Sequence, residues 1–288
     1  MRKLALSAAV TAALAAPSAF AQTPAAPAAP ASPWSFNVGV TSDYLFRGIS
    51  QTHGRPAIQA GVDYLHGSGF YVGAWASSIT WVKDWTGSGS VEIDVYGGIK
   101  NPFGGGNWNY DVGYIAYNYP GKGSSIPFTL ANPNTQELYG AIGYKFLTVK
   151  YSHATSSHFI GWVGGAGLNE KTRGSGYLEL NANYDAGGGW TLIGHVGRQK
   201  VNRSVATGGF TDANYTDWKI GVSKDIGFGT ITAAYSDTNT SGVCPPVGAI
   251  NNAYCWGNSG VVPSVSGPTA GFKDVSKGKF LLSFLKTF

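Results

Sequence analysis

The stretch that decides the fold is Phe280-Leu-Leu-Ser-Phe-Leu-Lys-Thr-Phe288, the last nine residues of the sequence. At period two it sets Phe280, Leu282, Phe284 and Phe288 on one face, with no polar tail after them to cover it. In a soluble protein such a segment would be an exposed apolar edge strand, which templates aggregation. As the closing strand of a β-barrel in a bilayer it would face lipid and pair with the first strand, leaving no edge. The pattern therefore predicts a transmembrane β-barrel closed by this strand. Lys286 shares the apolar face. It is expected near the interface, where its long side chain can snorkel to headgroups.

The other end predicts export. Arg2 and Lys3 form a charged n-region, Leu4 to Ala16 a short apolar core, and Ala19-Phe20-Ala21 a small-residue cleavage site before Gln22. The apolar run is too short to span a bilayer, so residues 1–21 read as a signal peptide. Residues 22–33, with Pro24, Pro27, Pro30 and Pro33 among alanines, read as an extended periplasmic linker. The barrel is expected over 34–288.

Composition agrees with a membrane barrel. Only 12% of residues are charged, against about 25% in an ordinary soluble domain. Aromatic residues make up 14%, and 42 glycines and 16 tyrosines accompany a single methionine. Glycine permits tight turns and strand kinks, and tyrosine suits membrane interfaces. No run of eighteen apolar residues follows Gln22, which excludes a transmembrane helix. Net charge falls from +5 to +3 once Arg2 and Lys3 leave with the signal. So mild a charge, without a basic cluster, excludes nucleic acid as a partner. Cys244 and Cys255 lie in a Pro/Gly/Asn-rich stretch, and in an oxidising periplasm a disulfide is the simplest reading. It would contribute about 3 kcal/mol through chain entropy. No histidine lies in that segment, so no metal site is expected, and no cofactor either.

Alternating segments recur through the mature chain. They predict twelve antiparallel strands at 35–47, 55–66, 69–79, 90–101, 106–118, 135–146, 147–154, 175–185, 188–198, 213–224, 228–237 and 278–288. Gaps after even strands are tight and gaps after odd strands are long, the layout of a bacterial barrel with short periplasmic turns and long extracellular loops. One turn, near Phe146-Leu147, shows no clear turn residue. Parity assigns the faces. Val91, Ile93 and Val95 oppose Glu92 and Asp94, and Trp108, Tyr110 and Val112 oppose Asn109 and Asp111. Lys or Arg facing lipid at the midplane costs about 2–4 kcal/mol, so the charged face must be the lumen. Candidate lumen or constriction residues are Asp43, Arg47, Asp63, Glu92, Asp94, Lys100, Asp111, Glu137, Lys145, Lys150, Glu179, His195, Asp217 and Lys219. Asp43 and Arg47 share parity at the outer end of the first strand, about 13 Å apart along it, so each is expected to bond a neighbouring strand. Gly48 would supply a turn into a short external loop.

The string Ser42-Asp-Tyr-Leu-Phe-Arg-Gly-Ile-Ser-Gln-Thr52, with Pro56-Ala-Ile-Gln-Ala-Gly-Val-Asp-Tyr64 after it and Glu92-Ile-Asp94-x-Tyr96 later, resembles the TorF family of outer-membrane porins. That proteobacterial family was long catalogued as conserved hypothetical proteins. The terminal Phe288 likewise resembles the C-terminal assembly signal of bacterial outer-membrane barrels. These resemblances imply residence in the outer membrane of a Gram-negative bacterium. They also imply contact with its lipids and lipopolysaccharide, delivery by the barrel-assembly machinery, and a pore role.

Three function classes remain on the table. Twelve strands lie between side-chain-filled eight-stranded barrels and wide porins, so a channel would be narrow and pass small solutes passively. Both charge signs line it, so no strong ion selectivity is expected, and the last long loop could fold inward to constrict it. A lipid hydrolase would need a serine activated by histidine. Ser152-His153, Ser157-His158 and His195 supply hydroxyls and imidazoles, but a nucleophile also needs a base within about 3 Å and an orienting carboxylate. Ser152 and His153 point to opposite faces, and His153 and His158 read as loop or rim histidines. An adhesive or structural barrel would use the Gly/Ser/Thr/Asn-rich loops. The channel is the preferred reading, as a monomer.

Overall fold

The computed structural model describes residues 32–122, 131–165, 170–204, 212–244, 252–257 and 272–288. The expected signal peptide, 1–21, and nearly all of the linker lie outside them. Twelve strands form one closed antiparallel barrel: β1 (Trp34–Thr41), β2 (Ala57–Leu65), β3 (Phe70–Ser78), β4 (Val91–Phe103), β5 (Trp108–Asn118), β6 (Thr135–Tyr144), β7 (Leu147–Ala154), β8 (Gly176–Gly187), β9 (Trp190–Lys200), β10 (Tyr215–Asp225), β11 (Thr230–Thr238) and β12 (Lys279–Thr287). Each strand pairs with its sequence neighbour, and β12 returns to β1. The closing register sets Val40 opposite Phe284, Val38 opposite Lys286 and Asn37 opposite Thr287. Phe288 extends the seam by donating its N–H to the Phe36 carbonyl at 2.8 Å. No backbone edge remains along either strand, as water-free surroundings require.

The outer surface carries the apolar half of each alternation. Phe280, Leu282 and Phe288 are exposed, as are Val38, Ile58, Val95, Val112 and Ile220. Phe284 points the same way but is half covered, packing on Phe228 at 5.9 Å between ring centroids. At the short-turn end aromatic pairs form part of a girdle, among them Trp34 with Tyr64 and Trp108 with Tyr144. Such rings suit the headgroup level. Lys286 lies over the Phe288 ring at 5.5 Å in that zone.

Two expectations are corrected. The first strand ends at Thr41, not Arg47: the Thr41 hydroxyl donates to the Asp43 carbonyl and the chain leaves the wall. Leu45–Phe46 then pairs with Ile49–Ser50, so residues 42–56 fold inward rather than forming an external loop. The turn residues Arg47 and Gly48 have φ of 49° and 80°. Positive φ at both central positions makes the tight primed turn that matches strand twist. The second correction concerns β6 and β7, which meet in a two-residue turn at Lys145-Phe146. There Lys145 takes φ 52° and donates its N–H to the Asn107 carbonyl at 2.9 Å. Lys145 is therefore an exposed turn residue and does not line the lumen. Cys244 and Cys255 are joined by a disulfide with a Cα separation of 5.4 Å, and Cys255–Trp256 pairs with Lys273–Asp274 inside the last loop.

Val112 lies mid-strand on the outside and is 56% exposed. Val112→Arg should destabilise the vesicle-embedded barrel by about 2–4 kcal/mol in urea unfolding. An unchanged midpoint would contradict a lipid-facing outer wall.

Candidate functional site: the lumen and the hairpin that crosses it

The lumen is built by register. Antiparallel pairing places Lys100 opposite Asp111 and Lys150 opposite Glu179. It also places Asn181 opposite His195, and His195 opposite Lys219. Cross-strand neighbours on one face lie about 4.5–5.5 Å apart at Cβ, so opposite charges face each other around the wall. Tyrosines fill the spaces between them. The Tyr71 hydroxyl donates to Asp111 at 2.8 Å and also meets the Tyr139 hydroxyl, while the Tyr96 hydroxyl donates to Asp63 at 2.6 Å. Lys100 and Lys150 sit over the rings of Tyr71 and Tyr139 at 5.0 and 4.4 Å.

A second group centres on His195. Its Nε2 lies 2.9 Å from both the Tyr177 hydroxyl and Asp217 Oδ2, and its Nδ1 lies 2.7 Å from Asn181 Oδ1. The Tyr177 hydroxyl also donates to Asp217 Oδ1 at 2.8 Å, and Asn181 donates to Glu179. A Cβ at Gly197 would collide with the Tyr177 hydroxyl, so only glycine lets that ring lie along the wall. Both imidazole nitrogens are thus engaged by groups other than a serine. Ser152 is buried while His153 is exposed on the opposite face, so the two hydrolase candidates do not meet.

At the long-loop end the inward hairpin dominates. Arg47 donates from Nη2 to Glu137 Oε2 at 2.7 Å on β6 and from Nη1 to Gln199 at 2.9 Å on β9. Strands β6 and β9 lie five and four places around the ring from β1, so this side chain bridges the barrel's width. A Cβ on Gly48 would meet Asp217 and Thr238 on β10 and β11 below 3.0 Å, which places the hairpin tip against the wall two and three strands from β1. The Arg47 guanidinium also stacks over the Tyr177 ring at 4.4 Å. Burial alone would favour its neutral form, but the Glu137 carboxylate outweighs that, so Arg47 holds its proton more tightly than an ordinary arginine. Asp43 accepts from Ser50 and Thr52 at 2.6 and 2.8 Å, closing the base of the hairpin on itself.

Around this bridge a lid has formed. Tyr44, Phe46, Ile49, Trp81, Val82, Tyr119, Tyr254, Trp256 and Val275 make one buried apolar cluster from four loops and the strand ends. Trp81 opens a short helix (Trp81–Thr86, α1) and packs its ring against Tyr119 at 5.0 Å and Trp256 at 5.8 Å. Backbone bonds tie the pieces: Ser50 to Val275, Val275 to Tyr254, and Thr80 to Gln51. His53, at 2.9 Å from Asp84 Oδ2, joins the hairpin to the helix. Below the lid, Glu92, Asp94 and Glu137 are fully buried, with Tyr44 and Tyr117 hydroxyls on Glu92 and Glu137.

Of the sequence candidates, all but Lys145 lie on the lumen side or on the inward hairpin. The sequence reading missed Gln199, Tyr177 and Trp81. The Arg47-Gly48 pair flanked by Leu45-Phe46 and Ile49-Ser50 carried the signal of a two-residue hairpin. Arg47→Met would leave the Glu137 carboxylate buried without its cation, costing about 3–5 kcal/mol of lid stability. It should speed proteolysis of the 42–56 segment in folded barrels, and Glu137→Met added to it should restore most of the protection.

One comparison establishes the family. The family described as "Bacterial protein of unknown function (Gcw_chp)" matches residues 25–262. No curated protein matches. Among solved structures, the KdgM porin aligns over 88% of this chain and 99% of its own at 8% identity, with a TM-score of 0.48. The NanC porin aligns over 88% and 98% at 9% identity, with a TM-score of 0.46. The outer membrane protein opdK from Pseudomonas aeruginosa aligns over 81% and 57% at 10% identity, with a TM-score of 0.38. Likeness at this level carries no solute or residue role to this barrel. The match over most of its length makes the chain a member of the Gcw_chp family of bacterial proteins of unknown function.

Proposed function

We propose that this protein is a porin-like channel of the bacterial outer membrane, passing small solutes through a narrow polar lumen that the 42–56 segment gates from the long-loop end. The observation that carries the reading is the Arg47 bridge to Glu137 and Gln199, set in a closed barrel whose wall is charged inside and apolar outside. A purely structural barrel has no need of paired charges along its lumen, since buried ion pairs often stabilise no better than apolar packing of the same volume. The string that resembles TorF porins is the one that forms this hairpin, which supports the pore role that resemblance implies. Solute passage requires the hairpin to swing aside or rearrange.

Planar-bilayer conductance tests the proposal. Wild-type protein should conduct rarely, and a variant with residues 45–50 replaced by a short Gly-Ser link should conduct steadily. Arg47→Met, which keeps the hairpin but removes its bridge, should fall between them. Heat-modifiable, correctly folded barrels that stay silent in all three forms would overturn the channel reading in favour of a structural or adhesive barrel.

A further inference from the structure

Beneath the hairpin lies a small, partly open pocket between β1, β2 and the β9–β12 wall. Asp43, Gln59 and Lys219 stand in its polar lining beside the hydroxyls of Thr41, Thr232 and Ser283, and Leu45, Ile193 and Leu281 form much of its apolar part. The polar groups are incompletely used. Lys219 makes no hydrogen bond or close ion pair among the described residues, because its neighbouring carboxylates are engaged elsewhere. Asp217 accepts from Tyr177 and lies 2.9 Å from His195, and Glu179 accepts from Asn181. Asp43 spends Oδ1 on Ser50 and Thr52, while its buried Oδ2 has no hydrogen bond and meets only Lys279, loosely, at 3.8 Å. Gln59 is buried, and its Oε1 has no partner.

Buried polar groups without partners are costly, so such groups around one cavity imply a guest that completes them. Asp43 Oδ2 and Gln59 Oε1 are such groups here, and Lys219, which faces Asp217 and Glu179 without a hydrogen bond to either, adds a cation beside a small apolar patch. We propose that this cavity is a binding site for a small amino-acid-like zwitterion. Its carboxylate is held by Lys219, its ammonium by Asp43 with Gln59 Oε1 as a further acceptor, and its short aliphatic part lies against Leu45, Ile193 and Leu281. The site rests on the channel reading, since the guest reaches it along the lumen. It adds a solute class to that reading. A solute lacking either charge would leave one lining group unpaired, which gives the site its selectivity.

The test is ligand titration of the detergent-folded barrel by saturation-transfer NMR with L-alanine, propionate and ethylamine. Propionate is alanine without its ammonium, and ethylamine is alanine without its carboxylate. Alanine should bind about tenfold more tightly than either, the size of one charge-assisted contact. Lys219→Met should abolish the preference over ethylamine, and Asp43→Asn the preference over propionate. Equal binding of all three probes, or no binding of any, by the folded wild-type barrel overturns the site, as does a folded Lys219→Met barrel with the wild-type preference. The wild-type comparison decides even where a variant fails to fold. Conductance without an alanine preference would sink the site and leave the channel. A preference in a barrel that never conducts would sink the channel and leave the site.

Discussion

The constraint on which the rest of this structure depends is that no backbone N–H or C=O on the wall can go unpaired in lipid. It forces β12 to find β1, and the Val40–Phe284 and Asn37–Thr287 register is the result. Once the ring closes, each side chain must face either lipid or lumen, with no third environment. Charged and hydroxyl groups then have only the interior, where they must satisfy one another. The tyrosine hydroxyls on Asp63, Asp111 and Asp217 are the visible consequence. Each of these aromatic side chains fills lumen volume and hydrogen-bonds a carboxylate at once.

That interior would suit an open pore if nothing entered it from above. Instead the chain leaves β1 after Thr41 and sends a two-residue hairpin across the barrel. The hairpin tip is tolerable in left-handed backbone because one of its residues is glycine and the other, Arg47, is held from two walls. Burying the guanidinium is acceptable because Glu137 lies at 2.7 Å and Gln199 and the Tyr177 face take up the rest of its surface. The apolar lid of Trp81, Tyr254 and Trp256 then excludes water from the bridge and strengthens it. Among the described residues the result has two layers: the hairpin with its apolar cluster at the long-loop end, and a polar lumen beneath it with opposite charges around its wall.

Much of this was legible in the sequence for a physical reason. Membrane barrels impose period two with high contrast, so Glu92 and Asp94 against Val91, Ile93 and Val95 could be assigned to faces without coordinates. Alternating gap lengths separated short turns from long loops for the same reason. The turn at Lys145-Phe146 escaped because neither residue is a usual turn former; only the pairing of Tyr144 with Leu147 compels it. The inward course of residues 42–56 escaped because parity continues smoothly from Val40 through Asp43 to Arg47. Period two describes a strand in a wall and a hairpin inside the wall equally well.

The sequence by itself determined the class of fold, the strand count, which face meets lipid and, Lys145 at its turn excepted, which of the candidate charges are polar inside, because one environment boundary, lipid against water, acts on every second residue. Which inward residues meet was decided only by the tertiary structure. Arg47 and Glu137 are ninety positions apart, and Arg47 and Gln199 are 152. Their contact depends on how far around the ring each strand falls and on a hairpin that folds across it. Both are properties of closure, which local periodicity does not carry.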